Sequence, residues 1–261
     1  MSTGHRLFLT VAILSALIWS ERQVGAADTG SIVPLPSAVK AQLEKYLGPG
    51  VVGAPIASPP LMAAADYLPP KGATLNYRVV EEGEPARTET HKVEDTTDAQ
   101  FAPGWRYAAD PMGALYFQES ADGGASIVGE EDRDNEVLSR FTPREPLMIP
   151  GLKAGESRKV AVKVQVADLA NPKKITHKGA LSITYTYIGA YKVTVPAGSF
   201  DAELIRWDYK GSVGPASIEQ TDYRFIAPHA GMIAMIQNRH ISAMLIYNDK
   251  TKLGKLLQAS K

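Results

Sequence analysis

The chain has 261 residues, 28 basic against 28 acidic side chains, 44% hydrophobic residues and no cysteine. A charge balance without a basic excess argues against nucleic acid as the main partner. The absence of cysteine removes disulfides and a cysteine acceptor for lipidation, so stability has to come from the buried core of one large domain or two small ones.

The N-terminus carries a short basic segment with His5 and Arg6, an apolar run from Leu7 to Trp19, and small residues in VGAAD. That is the pattern of a secretory signal peptide. The run is too short to cross about 30 Å of hydrocarbon at about 1.5 Å per residue. No later segment is apolar for long enough to serve as a transmembrane anchor. Cleavage after Ala26 or Ala27 fits the small-residue rule and leaves the balance near neutral. A periplasmic protein is expected, or a fully secreted one.

SAVKAQLEKYLG, from Ser37 to Gly48, reads as a helix of about three turns. Ser37 is the expected cap, Val39, Leu43, Tyr46 and Leu47 share one side, and Gly48 with Pro49 stops it. The stretch from Pro49 to Gly72 holds six of the chain's 18 prolines and almost no charge. Proline and glycine at this density predict an irregular cover over the main domain, or a lid over an apolar pocket.

From Ala73 onward the chain reads as strands. TLNYRVV and RTETHKV flank a turn at EGEPA, and WRYAA, ALYFQES and ASIVGE follow, divided by DPMG and ADGG. In RKVAVKVQV, Val160, Val162, Val164 and Val166 face one way, while Lys159, Lys163 and Gln165 face the other. Leu181, Ile183, Tyr185 and Tyr187 alternate with Ser182, Thr184 and Thr186, the mark of an antiparallel sheet with one face in water. VTVPAGSF places Pro196 second and Gly198 fourth in a hairpin turn. On the return strand Ile205, Trp207 and Tyr209 share a face. GMIAMIQ and ISAMLIY are apolar on both faces, so they are expected to be central or covered, with the helix at 37–47 as the candidate cover. DKTKLGKLLQASK is expected to be a short frayed tail.

The order PLMIPGLKAGES, YKVTVPAGSFDAELIRWDY, DYRFIAPHAGMIAMI, over roughly residues 144 to 247, resembles a family of bacterial envelope proteins of unknown function. Those proteins carry a V-P-A-G-[ST]-F hairpin, an aromatic strand and an A-P-x-x-G step. The resemblance implies a β-rich periplasmic domain, distantly like the half-barrels of lipoprotein carriers. It supplies no catalytic residues.

A direct search for chemistry finds little. His91 and His177 sit among polar strand residues and are expected to be solvated, His229 lies at a turn, and His240 has no metal-ligand spacing to another histidine. In EEDRDNE, Asp132, Asp134 and Glu136 alternate as a calcium loop requires, but Val137 and Pro143 replace the diagnostic glycine and glutamate, so a solvated loop is expected. Nucleophile elbows, P-loops and dinucleotide fingerprints are missing from the sequence. No enzyme activity, cofactor or metal is expected.

The remaining candidates are aromatic: Trp105, Tyr107, Tyr116, Trp207, Tyr209, Tyr223 and Phe225, which could line an apolar cavity if the sheet is curved. The expected fold is all-β and mainly antiparallel, a curved sheet, sandwich or open barrel with one N-terminal helix. Its segments are a signal peptide at 1–26, a helix and proline-rich cover at 27–72, a β-domain at 73–250 and a tail at 251–261. The expected function is binding of an apolar or amphipathic envelope ligand such as a lipid. The alternative is a protein-interaction module of an envelope complex, and a hydrolase ranks behind both.

Overall fold

The computed structural model describes residues 30–120, 124–243 and 247–260. The expected signal peptide and its cleavage site lie outside these residues, as do Met244 to Ile246 of ISAMLIY. The chain first forms β1 (Ser31–Ile32), α1 (Ser37–Leu47), β2 (Val52–Ser58) and α2 (Ala64–Tyr67). Then come β3 (Thr74–Glu81), β4 (Arg87–Asp95), β5 (Trp105–Asp110), β6 (Gly113–Glu119), β7 (Ala125–Asp132) and β8 (Val137–Pro146). The last six are β9 (Ser157–Asp168), β10 (Ile175–Val195), β11 (Gly198–Val213), β12 (Ala216–Ala227), β13 (Gly231–Ala243) and β14 (Tyr247–Ser260).

Each strand from β3 to β14 pairs antiparallel with the next in the chain, and β14 pairs back onto β3. The result is a closed up-and-down barrel of twelve strands. Closure removes the exposed edges that a half-barrel or a sandwich would leave. Residues 247–260 are therefore a full wall strand between β13 and β3, and no frayed tail exists at these positions. Leu253, Leu256 and Leu257 explain why: all three are buried, at a spacing that serves both faces of a covered strand.

Register fixes which side chains look inward. Tyr187, Ile205, Arg224, Met235, Lys255 and Val79 form one row across six strands, and Ile183, Tyr209, Gln220 and Arg239 another. This face is interior, because the Tyr209 hydroxyl on β11 donates to Glu145 Oε1 on β8 at 2.8 Å although two strands separate them in the wall. The four valines of β9 also belong to it, as their alternation predicts. The opposite face carries Lys159, Lys163, Asp208, Lys210, Glu219 and Lys252. A wall turned to water presents such a face, whereas a lipid-facing wall needs an apolar band.

Where the outer face is apolar, it is covered. Helix α1 packs on β13 and β14, burying Leu43 and Leu47 over Ala234 and Ile236. Gly254 permits this approach, since a Cβ there would lie 2.7 Å from the Tyr46 carbonyl oxygen. The helix begins one residue earlier in its capping than the sequence suggests: the Lys40 amide donates to the Pro36 carbonyl at 2.9 Å, and Ser37 caps nothing. At the other hairpin end, Val195 pairs with Gly198, so Val-Pro-Ala-Gly is the expected corner. Its tip is tied across the barrel, the Ala197 amide donating to the Leu257 carbonyl at 3.1 Å.

The proline-rich stretch is more ordered than its composition predicts. Strand β2 pairs with β10 beyond a bulge at Gly189, with Pro55 opposite Tyr191. Proline is tolerated there because β2 lies at the margin of the sheet, where a missing N–H breaks no interior ladder. Residues 61–70, with α2, form a plug at one end of the barrel. The Leu61 amide donates to the Leu152 carbonyl at 3.0 Å, the Gly151 amide to the Leu61 carbonyl at 2.8 Å, and the His229 amide to the Asp66 carbonyl at 2.9 Å. Leu61, Ala64 and Tyr67 pack against Trp105, Phe117, Tyr185 and Trp207, closing the barrel with an apolar floor.

Candidate functional site

A ring of twelve strands encloses more space than one layer of ordinary side chains fills; eight strands are about the number that side chains alone pack. Above the floor the interior is accordingly lined by large and charged groups. Tyr107, Tyr209 and Arg224 retain accessible surface, and Glu130 is exposed, although the wall surrounds all four. That surface faces the space that the wall encloses, the lumen.

Arg224 on β12 is the hub. Its Nη2 donates to Asp222 Oδ2 at 2.6 Å, and its guanidinium lies 3.8 Å above the Trp207 ring centroid on β11. Gln220 Nε2 supports Asp222 from the same strand at 3.1 Å. Asp222 holds Arg224 charged against the burial that opposes it. Across the lumen stand Glu130 on β7 and Glu145 on β8. Burial pushes Glu145 up to about 7; the Tyr209 hydrogen bond and Arg224 pull it down, while Glu130 and Asp222 push it further up. Although Glu130 keeps surface, the wall around it desolvates the carboxyl and raises it too, aided by Asp132 and opposed by Arg239 and Arg224.

The wall of β3, β4 and β14 carries a second charged group. Glu89 Oε1 accepts from Arg87 Nη2 at 3.0 Å, and Glu89 Oε2 accepts from Lys255 Nζ and lies 3.2 Å from His91 Nε2. Arg87 also donates to Glu81 at 2.7 Å. Burial would raise Glu89, but His91 and Lys255 overcome it and hold the carboxyl down at about 2. His91 is a correction to the sequence reading: it is 5% exposed, wedged between the rings of Tyr77 and Tyr107 at centroid distances of 4.8 and 5.0 Å. Burial lowers its affinity for a proton, Glu89 raises it, and Lys255 lowers it. Its neighbours Thr90 and Lys92 are polar because they lie on the outer face of β4, which hid the inward turn of His91 itself.

The seven aromatic candidates divide by register. Trp105, Tyr107, Trp207 and Tyr209 face the interior. Trp105 stacks on Phe117 at 5.8 Å, and the Tyr107 and Tyr77 hydroxyls lie 3.1 Å apart. Tyr116, Tyr223 and Phe225 point outward and line no lumen. Tyr116 stacks on Phe101 at 4.2 Å and donates to Glu131 at 2.8 Å, while Phe225 meets Tyr191 edge-on at 6.4 Å. Each is displaced by one residue from an inward neighbour, and one step along a strand changes the face.

Sequence reasoning missed Glu130, Glu145, Asp222 and Arg224. EEDRDNE is a strand end before it is a turn, with Glu130 to Asp132 in β7, so Glu130 faces the lumen where a solvated loop was expected. DYRFIA carried a usable signal, since charges alternating with aromatics from Asp222 to Phe225 imply a polar face opposite an apolar one. Among the described residues, no three His, Asp or Glu side chains converge as metal ligands. His177 and His229 are exposed, and His240 Nε2 lies 2.9 Å from Asn248 Oδ1.

No family model matches the chain. No curated protein matches it either. Among solved structures, it is similar to an exported-protein candidate with a YmcC-like fold from Bacteroides fragilis, at 13% identity and a TM-score of 0.42, covering 76% of this chain and 100% of that one. A lipoprotein candidate from Parabacteroides distasonis matches at 12% identity and a TM-score of 0.39, over 77% of this chain and 100% of its own. The hypothetical lipoprotein YmcC from Escherichia coli matches at 10% identity and a TM-score of 0.41, over 74% and 86%.

Proposed function

We propose that this chain is an exported, non-enzymatic β-barrel that takes an apolar or amphipathic envelope ligand, such as a lipid, into its lumen. The observation that carries the reading is the accessible surface on Tyr107, Tyr209 and Arg224 inside a closed wall. An apolar tail has a matching surface in the half-buried Val160, Val166 and Leu181 on the inward faces of β9 and β10. A polar end has Arg224, Glu130 and Glu145 at the level of the hub. Pockets of this composition, mostly apolar with a few convergent polar groups, are the usual form of a small-molecule site. Export rests on the leader pattern of residues 1–26.

The test is native mass spectrometry of the protein purified gently from the cell envelope, followed by organic extraction, with a fluorescent fatty acid added to the stripped protein. A stoichiometric co-purifying lipid, or uptake of the probe that Trp207→Ala abolishes, supports the reading. A clean apo mass together with no probe uptake overturns it and directs attention to cross-linking for an envelope partner.

A further inference from the structure

We propose that the floor of the barrel is a pH-operated gate, in which ionisation of Glu203 releases the plug formed by residues 61–70. Glu203 lies on the inward face of β11, two residues before Ile205, and is 6% exposed. Its Oε2 finds no hydrogen-bond partner among the described residues, and neither does the buried hydroxyl of Tyr187 beside it. Tyr67, the anchoring side chain of α2, is 2% exposed and sits against this carboxyl.

The groups that face Glu203 are Tyr67 from α2, Tyr187 from β10 and Asp201 along its own strand, with Asp66 behind Tyr67 and Tyr191 beyond Tyr187. No lysine, arginine or histidine is among the groups acting on it. Neutral, the carboxyl is accommodated; charged, it is a buried anion without a counter-ion, held under a plug only about ten residues long. An isolated buried charge is relieved by local opening to water when the covering element is weakly held. Burial pushes Glu203 up to about 7, opposed by its own backbone amide and by Tyr67 and aided by Asp201. An opened plug would return the carboxyl to ordinary solvation. Opening is therefore favoured progressively as the pH rises above the ordinary glutamate value, and the effect levels off near neutrality.

The chain has no cysteine, so single reporters are clean. Ala64→Cys places a thiol in the plug at a site 1% exposed, Val164→Cys places one in the barrel wall at a site 4% exposed, and Lys210→Cys gives an exposed reference. Thiol labelling at each position, divided by the rate at 210, removes the intrinsic pH dependence of the thiolate. Between pH 5 and 7.5 the normalised rate at 64 is expected to rise by tens of fold, roughly tenfold per pH unit below the folded-state value. The rate at 164, which follows global unfolding, should stay well below the rate at 64 throughout this range, and adding Glu203→Gln should flatten the rate at 64. No rise at 64, a rate at 164 that matches the rate at 64, or a rise at 64 that survives Glu203→Gln overturns the gate. If Glu203→Gln does not fold, the comparison of 64 with 164 in the chain with native Glu203 decides. Ligand uptake plays no part in this readout, so the gate and the lumen reading fail independently.

Discussion

Glu89 and Glu145 are the same residue type, both nearly buried in the same lumen, 6% and 3% exposed, yet their protons behave oppositely. Glu89 is matched by Arg87, Lys255 and His91 and is held near 2, whereas Glu145 has the Tyr209 bond and the field of Arg224 set against Glu130 and Asp222, and rises to about 7. Burial acts on both in the same direction; partners decide the outcome. The β3–β4–β14 side is thus a closed ion network that fixes the wall. The β7–β8–β12 side keeps carboxyl groups beyond what its arginines neutralise, a surplus suited to binding and costly for stability.

The largest effect should come from breaking the closed side. Glu89→Gln leaves the largely buried Lys255 without its carboxylate partner, while Arg87 keeps Glu81, and is expected to cost about 3 kcal/mol, read by urea denaturation. A loss below about 1 kcal/mol would show the network to be dispensable. Next is the pH profile. Glu145, raised in the folded state, contributes stability that is full below its unfolded value near 4.5 and is lost as pH rises to about 7. Glu89, lowered, contributes stability present above 4.5 and lost as pH falls towards 2. Maximal stability is therefore expected near pH 4.5–5. The decline to pH 7.5 should be about 2–3 kcal/mol per raised carboxyl. Glu145→Gln should flatten its share, and a profile rising from pH 5 to 7.5 would contradict the assignment.

Tyr209→Phe removes the Tyr209 hydrogen bond to Glu145, at an expected cost of about 1 kcal/mol. It should also move the midpoint of the alkaline decline upward, because that bond favours the ionised carboxyl; an unchanged midpoint would separate Tyr209 from Glu145. The smallest effect belongs to the outer face: Lys210, 3.1 Å from Glu219 with both side chains exposed, should be replaceable by alanine with no measurable change in stability.

Much of the wall was legible because alternation survives in β9, β10 and β11, where one polar face meets water. Helix α1 was legible for the same reason, through the stripe of Leu43, Tyr46 and Leu47. The interior was harder. In a barrel whose lumen is polar, both faces of a strand carry charge, so His91 and Glu130 read as solvated when they point inward. The Pro196 corner declared itself, but β2 did not, because a proline in a marginal strand looks like a proline in a loop. The last strand was mistaken for a tail since its lysines and leucines serve two faces at once, and periodicity cannot separate a two-faced strand from an unpatterned segment.

Every wall ladder but one joins strands that are neighbours along the chain, and the exception is the seam where Leu253 to Ser260 lie against Leu75 to Glu81. Hairpins between neighbours close in microseconds, while the seam must bring together segments about 170 residues apart, a search whose entropic cost grows with the logarithm of that separation. The molecule should roll up as a curling ribbon and zip last along β14 and β3, and the amides of that zipper should be the first wall amides to trade their hydrogens for deuterium.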